Sequence, residues 1–376
     1  MAYPLSLHKG SLELELEVLK KGLCTSCGGC VGICPYLRVR KEKVVLLEPC
    51  GMKEGRCYEL CPRTKLDIDG LSREIFGRPR DESSFLLGPA RSVCMAQSSR
   101  PGIRKKAQYG GTVTGLLVYA LSKKIIDGAI LVGYSSDYSL LPEPVLARSK
   151  EEILACAGSK YTAAPSLEIL DEALKRCRKL AYVGRGCQVE ALRKRMRIEP
   201  EIGRKVALVL GLFCMWSLNY QKLYAHLSEK INVEKATGFD IPYNRFVVYM
   251  GAGRKELPFE PIKGFRRTSC DICYDFTSEL ADLSVGSTEW KDDWNTLIVR
   301  SERGAKLVDR ALKDRALRVR PLPEQRVELL KAAVLGKKQR VLKALFEDKT
   351  FPAYLSVSEE EKRWINNSKA AQGVKK

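Results

Sequence analysis

Seven cysteines between residues 24 and 61 constrain this 376-residue chain more than any other feature of its sequence. The first four, Cys24, Cys27, Cys30 and Cys34, have the spacing C-x2-C-x2-C-x3-C and precede a proline. In this spacing three neighbouring thiolates bind one cubane iron–sulfur cluster, and the fourth cysteine ligates a second cluster. The segment therefore predicts a ferredoxin-type module with two 4Fe-4S clusters.

The second half of this segment contains Cys50, Cys57 and Cys61, and the last of them again precedes a proline. If the last cysteine of each half crosses to the other cluster, the seven cysteines form two ligand sets. These are Cys24, Cys27, Cys30 and Cys61 for the first cluster, and Cys34, Cys50 and Cys57 for the second. The second set is one cysteine short. Cys94, a ligand other than cysteine or a three-iron cluster would each account for the gap.

A structural zinc module is the main alternative for this segment, but the Cys-Pro endings and the number of cysteines fit zinc ribbons poorly. The N-terminus has no basic segment followed by an apolar one, so we expect neither a signal peptide nor a disulfide framework for the 14 cysteines. The longest apolar stretch, residues 206–218, is too short for a membrane helix. We therefore expect a cytoplasmic protein, which a partner complex could hold at a membrane.

The formal net charge of +20 is spread along the chain and is not concentrated in a basic tail. Nucleic-acid binding, a charge-rich surface, and an anionic cofactor or acidic redox partner would each explain it. We favour the last explanation, because a positive field raises encounter rates with such ligands, and we expect no nucleic-acid partner. With only two histidines, His8 and His226, chemistry that depends on a histidine base is not expected.

Strand-like and helix-like segments alternate after this module, which predicts an α/β domain with parallel strands. The predicted strands cover 128–134, 180–186 and 206–214, and the predicted helices cover 110–124, 166–179 and 187–196. Ser166 is the expected N-cap of the second helix. The fold class is therefore α+β or α/β.

The chain divides in sequence into regions of different composition. We expect the ferredoxin-type module at 1–76, a turn-rich linker at 77–92, the α/β domain at 93–305 and a helical C-terminal extension at 306–376. The extension is expected to pack outside the main domain or to contact a partner. Its last residues, 366–376, are expected to fray.

Four further cysteines lie in the α/β region. Cys187 and Cys214 follow predicted strands, and Cys270 and Cys273 form a CxxC pair. A CxxC pair and two cysteines at strand ends form a suitable ligand set for a third cubane cluster, for which zinc is the main alternative. A single buried cysteine is more often only a small hydrophobic residue.

Six segments of the chain resemble one flavoprotein family. They are YGGTVTGLLVYAL (109–121), AGSKYTAAPSLEIL (157–170), VGRGCQVEALRKR (183–195), GLFCMW (211–216), CDICYDFTSELADLSVGS (270–287) and WNTLIVRSERG (294–304). Together they resemble the beta subunits of coenzyme F-420-reducing hydrogenase and F-420-linked formate dehydrogenase. The resemblance extends over about residues 20–305.

This resemblance implies an FAD in the α/β domain, a third 4Fe-4S cluster at Cys187, Cys214, Cys270 and Cys273, and coenzyme F-420 as the substrate. Carried over to this sequence, the cofactor-binding residues are Gly110, Gly111, Thr112, Thr114, Ser159, Lys160, Tyr161 and Gln188. Lys160 and Tyr161 have an alternative interpretation as surface residues of a loop. No catalytic side chain is expected, because the flavin performs the hydride chemistry. The family commonly has Thr-Pro where this chain has Arg185-Gly186.

The resemblance thus implies an oxidoreductase subunit that exchanges hydride between F-420, a small-molecule deazaflavin, and FAD, and passes single electrons through 4Fe-4S clusters. Its partners would be other redox subunits, in a hydrogenase, a formate dehydrogenase, a heterodisulfide-reductase-type complex or a membrane quinone-linked complex. A family member with a different donor or acceptor is one alternative. An electron-wire subunit without flavin is another.

Overall fold

The computed structural model describes residues 9–369 except 53, 243–244, 252, 288–289 and 350. The N-terminal region has little regular structure, and its elements are α1 (Ser11–Leu14), a π-helical turn (Glu15–Leu19), β1 (Leu37–Arg40), β2 (Lys43–Leu46), α2 (Arg56–Glu59), β3 (Leu66–Asp67) and α3 (Ile68–Phe76). The Asp67 side chain caps α3 by accepting a hydrogen bond from the Gly70 amide, and Gly77 ends the helix with a positive φ of 76°.

The remaining strands follow in chain order. They are β4 (Ser92–Ser98), β5 (Gly128–Tyr134), β6 (Pro142–Ala147), β7 (Leu180–Arg185), β8 (Val206–Leu212), β9 (Ala236–Asp240), β10 (Arg245–Met250), β11 (Gly253–Pro258), β12 (Leu283–Ser287), β13 (Asn295–Val299), β14 (Leu317–Pro321) and β15 (Leu355–Ser356). The predicted strands at 128–134, 180–186 and 206–214 correspond to β5, β7 and β8.

The remaining helices surround these strands. They are α4 (Pro101–Lys106), α5 (Thr112–Ser122), α6 (Lys150–Ala155), α7 (Leu170–Arg176), α8 (Gly186–Ile198), α9 (Pro200–Lys205), α10 (Tyr220–Ser228), α11 (Glu260–Lys263), α12 (Glu302–Lys313), α13 (Glu324–Leu342) and α14 (Glu359–Asn367), with 3-10 turns at Ser166–Ile169, Val233–Lys235 and Thr268–Cys270 and a π-helical turn at Lys343–Glu347. Among the described residues, none of these helices combines the length and apolar character needed to cross a membrane.

One predicted helix is shorter than expected. Over 166–179 the chain first forms a 3-10 turn, and the α-helix covers only Leu170–Arg176. Ser166 is not an N-cap, because its hydroxyl lies 2.7 Å from the Tyr182 hydroxyl and also accepts a hydrogen bond from Gln188. A tertiary contact therefore replaces the capping role that the local sequence predicted.

A mixed sheet of eight strands occupies the centre of the described structure, in the order β14-β4-β13-β12-β8-β7-β5-β6. Its central strands β12, β8, β7 and β5 are parallel, whereas the pairs at both edges are antiparallel. The prediction of an α/β fold is confirmed, but parallel pairing is limited to the centre of the sheet. A separate sheet of β11, β10 and β9 lies in the segment that connects β8 to β12.

Neighbouring residues of the central strands face two different cores, because side chains alternate across a sheet. Ile130 of β5 belongs to one core and Leu131 to the other. The first core also includes Leu14 of α1, Leu192 of α8 and Ile365 of α14. The N-terminal region and the C-terminal tail therefore share a core with one face of the main sheet.

The shared core corrects two expectations from the sequence, the linker at 77–92 and a C-terminal extension outside the main domain. Phe85, in the expected linker, is only 2% exposed, and its carbonyl accepts a hydrogen bond from Lys338 of α13. The tail packs into the core instead of outside the main domain, and β14 adds a strand to the main sheet within the range expected to be helical. The division of the chain into domains stays a prediction. The expected fraying at 366–376 falls mainly on residues outside those described.

Buried ion pairs tie the tail to the rest of the molecule. Arg80 donates to both carboxylate oxygens of Glu361 in α14, and it also lies 3.4 Å from Glu279. Lys338 is 2.6 Å from the Glu279 carboxylate. All four side chains are fully buried. Because buried charges require partners, this cluster specifies where the tail packs.

Candidate redox site and cofactor cavity

Four of the N-terminal cysteines lie around one small space, as the crossing rule predicted. Cys24, Cys27, Cys30 and Cys61 line it together with apolar residues that include Leu14 and Val18. We refer to these four residues as the first cysteine group. The backbone amides of Ser26 and Arg63 lie 3.4 Å from the sulfurs of Cys24 and Cys61, respectively. Sulfur atoms that receive backbone N–H groups are typical of cluster ligands.

Burial raises the pKa of three thiols in this group, Cys27, Cys30 and Cys61. The pKa of Cys61 rises to about 12, and that of Cys30 lies well above the usual value. The other thiols of the group raise both values further. These thiols would be protonated at neutral pH without a metal, and a coordinating metal displaces the proton.

The remaining N-terminal cysteines, Cys34, Cys50 and Cys57, form the second cysteine group. Burial raises the pKa of Cys57 to about 11, and its neighbours Cys34 and Cys50 raise it further. The Ser11 hydroxyl lies 3.2 Å from the Cys50 sulfur and accepts a hydrogen bond from the Cys50 amide. No fourth cysteine belongs to this group among the described residues.

The structure contradicts Cys94 as the missing ligand. Cys94 lies in the middle of β4, where it pairs with Leu297 of β13 and Pro321 of β14. It packs against the second core, on the face of the sheet away from Leu14. Burial alone raises its pKa to about 11, with no other thiol contributing. A ligand other than cysteine and a three-iron cluster stay open as predictions.

Cys187, Cys214, Cys270 and Cys273 form a third group, although they are far apart in sequence. Cys187 lies in the first turn of α8, and Cys214 follows β8. Burial raises the pKa of both thiols, and Cys273 is among the neighbours that raise it further. Cys270 contributes in the same direction at Cys214. The fold therefore brings all four predicted ligands together.

Two hydrogen bonds hold the segments of the third group side by side. The Cys214 amide donates to the Phe276 carbonyl at 2.8 Å. The Ser217 amide lies 3.3 Å from the Cys270 sulfur. Over the described chain, no three His, Cys, Asp or Glu side chains converge on a position for a single metal ion. A cubane cluster, which spreads its thiolate contacts over several iron atoms, stays the predicted occupant of this group, with zinc as the alternative.

Buried cations with unpaired donors surround these cysteines. Arg63 interacts electrostatically with Cys187 and Cys273, and its Nε and Nη2 are buried without a hydrogen-bond partner among the residues that the structure describes. Nη2 of Arg185 is buried in the same way beside Cys187, Cys214 and Cys270. Buried donors are normally paired. Unpaired positive groups beside thiols fit the negative charge of a thiolate-bound cluster.

A cavity of about 540 Å³ opens at the carboxyl ends of the parallel strands. The ends of β7, β8 and β12 form its floor, and the loop before α5 and the segment around 156–162 form two of its walls. Ligands of open α/β sheets bind at this edge, and the volume is within the range of small-molecule sites. Cys214 of the third cysteine group lines the cavity directly.

Seven of the eight predicted cofactor residues line this cavity. They are Gly111, Thr112, Thr114, Ser159, Lys160, Tyr161 and Gln188. Gly110 lies just behind it, and a Cβ atom there would be 2.7 Å from the Ala96 carbonyl and 2.9 Å from the Asn295 side chain. The Thr112 amide donates to Asn295 at 3.2 Å, so this amide is already used within the protein.

The segment of Ser159, Lys160 and Tyr161 is a wall of the cavity and not an isolated surface loop. Burial lowers the pKa of Lys160 to about 8. Its ammonium donates to the carbonyls of Cys156, Ala157 and Gly158 at the end of α6, at distances of 2.7 to 3.1 Å. The Tyr161 hydroxyl donates to Asp240 at 2.8 Å.

Gln188 supports the site from behind. Its amide nitrogen donates to the Ala164 carbonyl and the Ser166 hydroxyl at 2.8 and 2.9 Å. Its oxygen accepts from the Arg185 amide at 2.9 Å. Both ends of the side chain are thus occupied by the protein, which gives Gln188 a structural role at the start of α8.

Sequence reasoning missed two parts of the cavity. Gln108 lines the cavity and donates to Asp240 of β9, which also accepts a hydrogen bond from Tyr161, and no sequence motif marks either Gln108 or Asp240. The first three turns of α13 also line the cavity, through Arg326, Leu329, Leu330 and Ala333. These four residues are spaced i, i+3, i+4, i+7, which places them on one face of the helix. The sequence predicts this face but not which part of the protein it contacts.

One face of α8 joins the third cysteine group to the first. Glu190 pairs with Arg63 at 3.3 Å, and Lys194 donates to the Cys61 carbonyl at 2.6 Å. Cys187, Glu190 and Lys194 are spaced i, i+3, i+7 and share that face. The Tyr182 hydroxyl also lies between the groups, because both Cys27 and Cys187 raise its pKa in addition to burial.

Family models match the α/β region in two parts. The N-terminal model of coenzyme F-420 hydrogenase/dehydrogenase, beta subunit, matches residues 93–171, and the C-terminal model matches residues 177–325. Both matches leave out the N-terminal cysteine module and nearly all of α13.

Relatives and a solved structure agree with these matches. The beta subunit of coenzyme F-420 hydrogenase from Methanothermobacter thermautotrophicus is 34% identical over 64% of this chain and 88% of its own length. One subunit of the F(420)H(2) dehydrogenase from Methanosarcina mazei is 29% identical over 82% of this chain and 87% of its own length. A chain of the F-420-reducing NiFe hydrogenase complex from Methanosarcina barkeri matches with a TM-score of 0.66 and 30% identity, over 73% of this chain and 97% of that one.

The family matches cover the third cysteine group, the strands that position it and the cavity lining other than its α13 residues. These relatives are components of F-420-linked hydrogenases and dehydrogenases, which are oxidoreductases. The chain therefore belongs to the family of coenzyme F-420 hydrogenase/dehydrogenase beta subunits.

Proposed function

We propose that this chain is the component of a redox complex that exchanges hydride with coenzyme F-420 and passes single electrons to or from a partner. FAD would bind in the cavity, and 4Fe-4S clusters would bind at the cysteine groups. A bound flavin accepts or donates a hydride as a pair of electrons and exchanges electrons singly with an iron–sulfur centre.

The observation that carries this proposal is the contact between the cavity and the third cysteine group. Cys214 belongs to the group and lines the cavity. Arg185 lines the same cavity and interacts with three thiols of the group. A site for two-electron chemistry therefore shares a wall with a site for one-electron carriers.

The residues of the cavity suit a large anionic ligand with an aromatic part. The backbone at Gly111, which has a φ of 62°, turns the chain into the N-terminus of α5, where helix amides attract negative charge. Trp216 lines the cavity and stacks on Phe259, with the ring centroids 5.7 Å apart. Lys160 adds a positive charge below pH 8.

The three cysteine groups follow one another from the cavity towards the N-terminal region. The third group lies beside the first, with Arg63 and Tyr182 between them. The first group lies beside the second, because Cys57 raises the pKa of Cys30 as a minor cause after burial. This order fits a row of one-electron carriers that ends at Cys34, Cys50 and Cys57.

The test begins with anaerobic purification and quantification of iron and flavin. Reduced F-420 is then added with a one-electron dye, and the absorbance of both is followed. About one flavin per chain, with oxidation of F-420 coupled to dye reduction, is the expected result. Bound flavin without turnover would refute F-420 as the substrate. Iron without flavin would refute hydride exchange altogether.

A further inference from the structure

Arg185 is a cation at the boundary between the cavity and the third cysteine group. It is the last residue of β7, and it caps the N-terminus of α8. Its side chain lines the cavity, and its charge interacts with the thiols of Cys187, Cys214 and Cys270.

The described residues provide few hydrogen-bond acceptors for the Arg185 guanidinium. Nε lies 3.4 Å from the Gln188 oxygen, which already accepts the Arg185 backbone amide at 2.9 Å. Nη2 is buried and has no hydrogen-bond partner in the described part of the chain. A buried donor without a partner is rare in folded proteins, so a negative group bound nearby is the expected partner.

Lys337, another buried cation beside the third group, differs in this respect. Its ammonium donates to the carbonyls of Cys214 and Asp275, both at 2.8 Å. Lys337 therefore holds two backbone segments in place. Within the described residues, the Arg185 side chain contacts only Gln188 by a hydrogen bond, so its charge is available to the thiolates and to a cluster bound by them.

We propose that Arg185 raises the reduction potential of the cluster bound by the third cysteine group, an inference that rests on the proposed function. Each electron added to a thiolate-bound cluster makes it more negative, so a fixed positive charge favours the reduced form. The N-terminus of α8, a helix of 13 residues, acts in the same direction at Cys187. Arg185 acts through charge and does not take part in hydride exchange.

The test compares Arg185→Gln, Arg185→Lys and Arg176→Gln in the purified full-length holoprotein. Arg176 is an exposed residue of α7 that pairs with Glu172, so its substitution removes one positive charge outside the cavity lining. A redox titration followed by electron paramagnetic resonance gives the midpoint potential of each cluster. A Cys270→Ala variant identifies the signal of the third group, because that signal alone should disappear.

We expect a more negative midpoint potential for the third group in Arg185→Gln, a smaller shift in Arg185→Lys and no shift in Arg176→Gln. The potentials of the other clusters should not change. An unchanged potential in Arg185→Gln would overturn the proposal. Arg185→Gln could also lose the third cluster altogether. In that case, a cluster retained in Arg185→Lys would support the requirement for a positive charge. Loss of the cluster from both variants would contradict that requirement. Absence of iron or flavin from the wild-type protein would instead refute the proposed function.

Discussion

The N-terminal cysteine groups and the third cysteine group place similar ligands by different means. In the N-terminal region, seven cysteines within 38 residues reach their sites through loops with little regular structure. In the third group, 86 residues separate Cys187 from Cys273, and the ends of β7 and β8 bring the ligands together. Local spacing thus defines the first two sites, whereas the sheet defines the third.

This difference implies different dependence on the rest of the fold. The first two groups take their ligands from one local segment, although that segment also contacts the α/β region: the Cys27 carbonyl accepts a hydrogen bond from the Leu167 amide at 2.9 Å, and a Cβ atom at Gly28 would be 2.5 Å from the Pro165 carbonyl. The third group needs β8, α8, the 270–276 segment and the tail. Damage to distant parts of the chain should therefore affect the third group before the others.

The largest expected effect comes from removing one predicted cluster ligand from the third cysteine group and, separately, one from the second. Cys187→Ala should lose about four iron atoms per chain and stop electron transfer to a one-electron dye, because the site beside the cavity is lost. Cys50→Ala should lose iron only from the second group and leave the signal of the third unchanged. Iron analysis and electron paramagnetic resonance measure both results. Loss of the same signals in the two variants would show that the groups are not independent.

A second prediction concerns the tail. Glu361→Gln removes the charge that pairs with Arg80, and it weakens the hydrogen bond of 2.8 Å from the Tyr274 hydroxyl, next to Cys273. Breaking a buried pair in this way costs about 3–5 kcal/mol of unfolding free energy. We expect a lower melting temperature and lower iron occupancy at the third group, with the first group less affected.

Glu359→Gln is the matched control for this change. Glu359 lies on the same helix, but its side chain, which pairs with Lys362, is largely exposed. Exposed pairs contribute little to stability, so this variant should melt like the wild type. Equal destabilisation by the two substitutions would show that the tail does not depend on its buried charges.

A third prediction concerns Gly110, in the turn before α5 beside the cavity. Gly110→Ala places a Cβ atom against the Ala96 carbonyl and Asn295, and overpacking of this kind costs about 1–3 kcal/mol. We expect reduced flavin content with normal iron content in the first group. Gly102→Ala is the control, because a Cβ atom there meets nothing within 4 Å. Flavin content equal to that of the control would show that the turn before α5 does not shape the cavity.

The smallest expected effect is a pH dependence. Because burial lowers the pKa of Lys160 to about 8, its positive charge is lost as the pH rises through 8. The KM for reduced F-420, an anion, should then rise several-fold between pH 7 and 9. Lys160→Arg keeps its charge over this range and should remove the rise. An identical pH profile for the two proteins would exclude Lys160 as the group responsible.

Much of the site was predictable because its signals are local. The four cysteines that the crossing rule assigns to one cluster, Cys24, Cys27, Cys30 and Cys61, line one small space, since cysteine spacing is a direct geometric constraint; their shared cluster stays a prediction. The strand at 128–134 was predicted with the bounds of β5, because a short apolar run favours a buried strand. Seven of the eight residues carried over from the family resemblance line the cavity.

The errors share a different origin. Ser166 was predicted to cap a helix, but it contacts Tyr182, which lies 16 positions away. Cys94 was a candidate ligand, but its strand places it on the other face of the sheet. Residues 77–92 had the composition of a linker, yet Phe85 is buried. In each case a long-range contact outweighed a local preference.

The sequence by itself placed the central strands and identified the family that the chain resembles, because short apolar runs and family motifs consist of neighbouring residues. The grouping of the cysteines into clusters stays a prediction from their spacing. Only the tertiary structure decided that α13 forms a wall of the cavity, that Arg63 and Glu190 lie between two cysteine groups, and that Arg185 faces both the cavity and the third group. These arrangements depend on how strands and helices pack across long separations, and burial then gives each charge its partners.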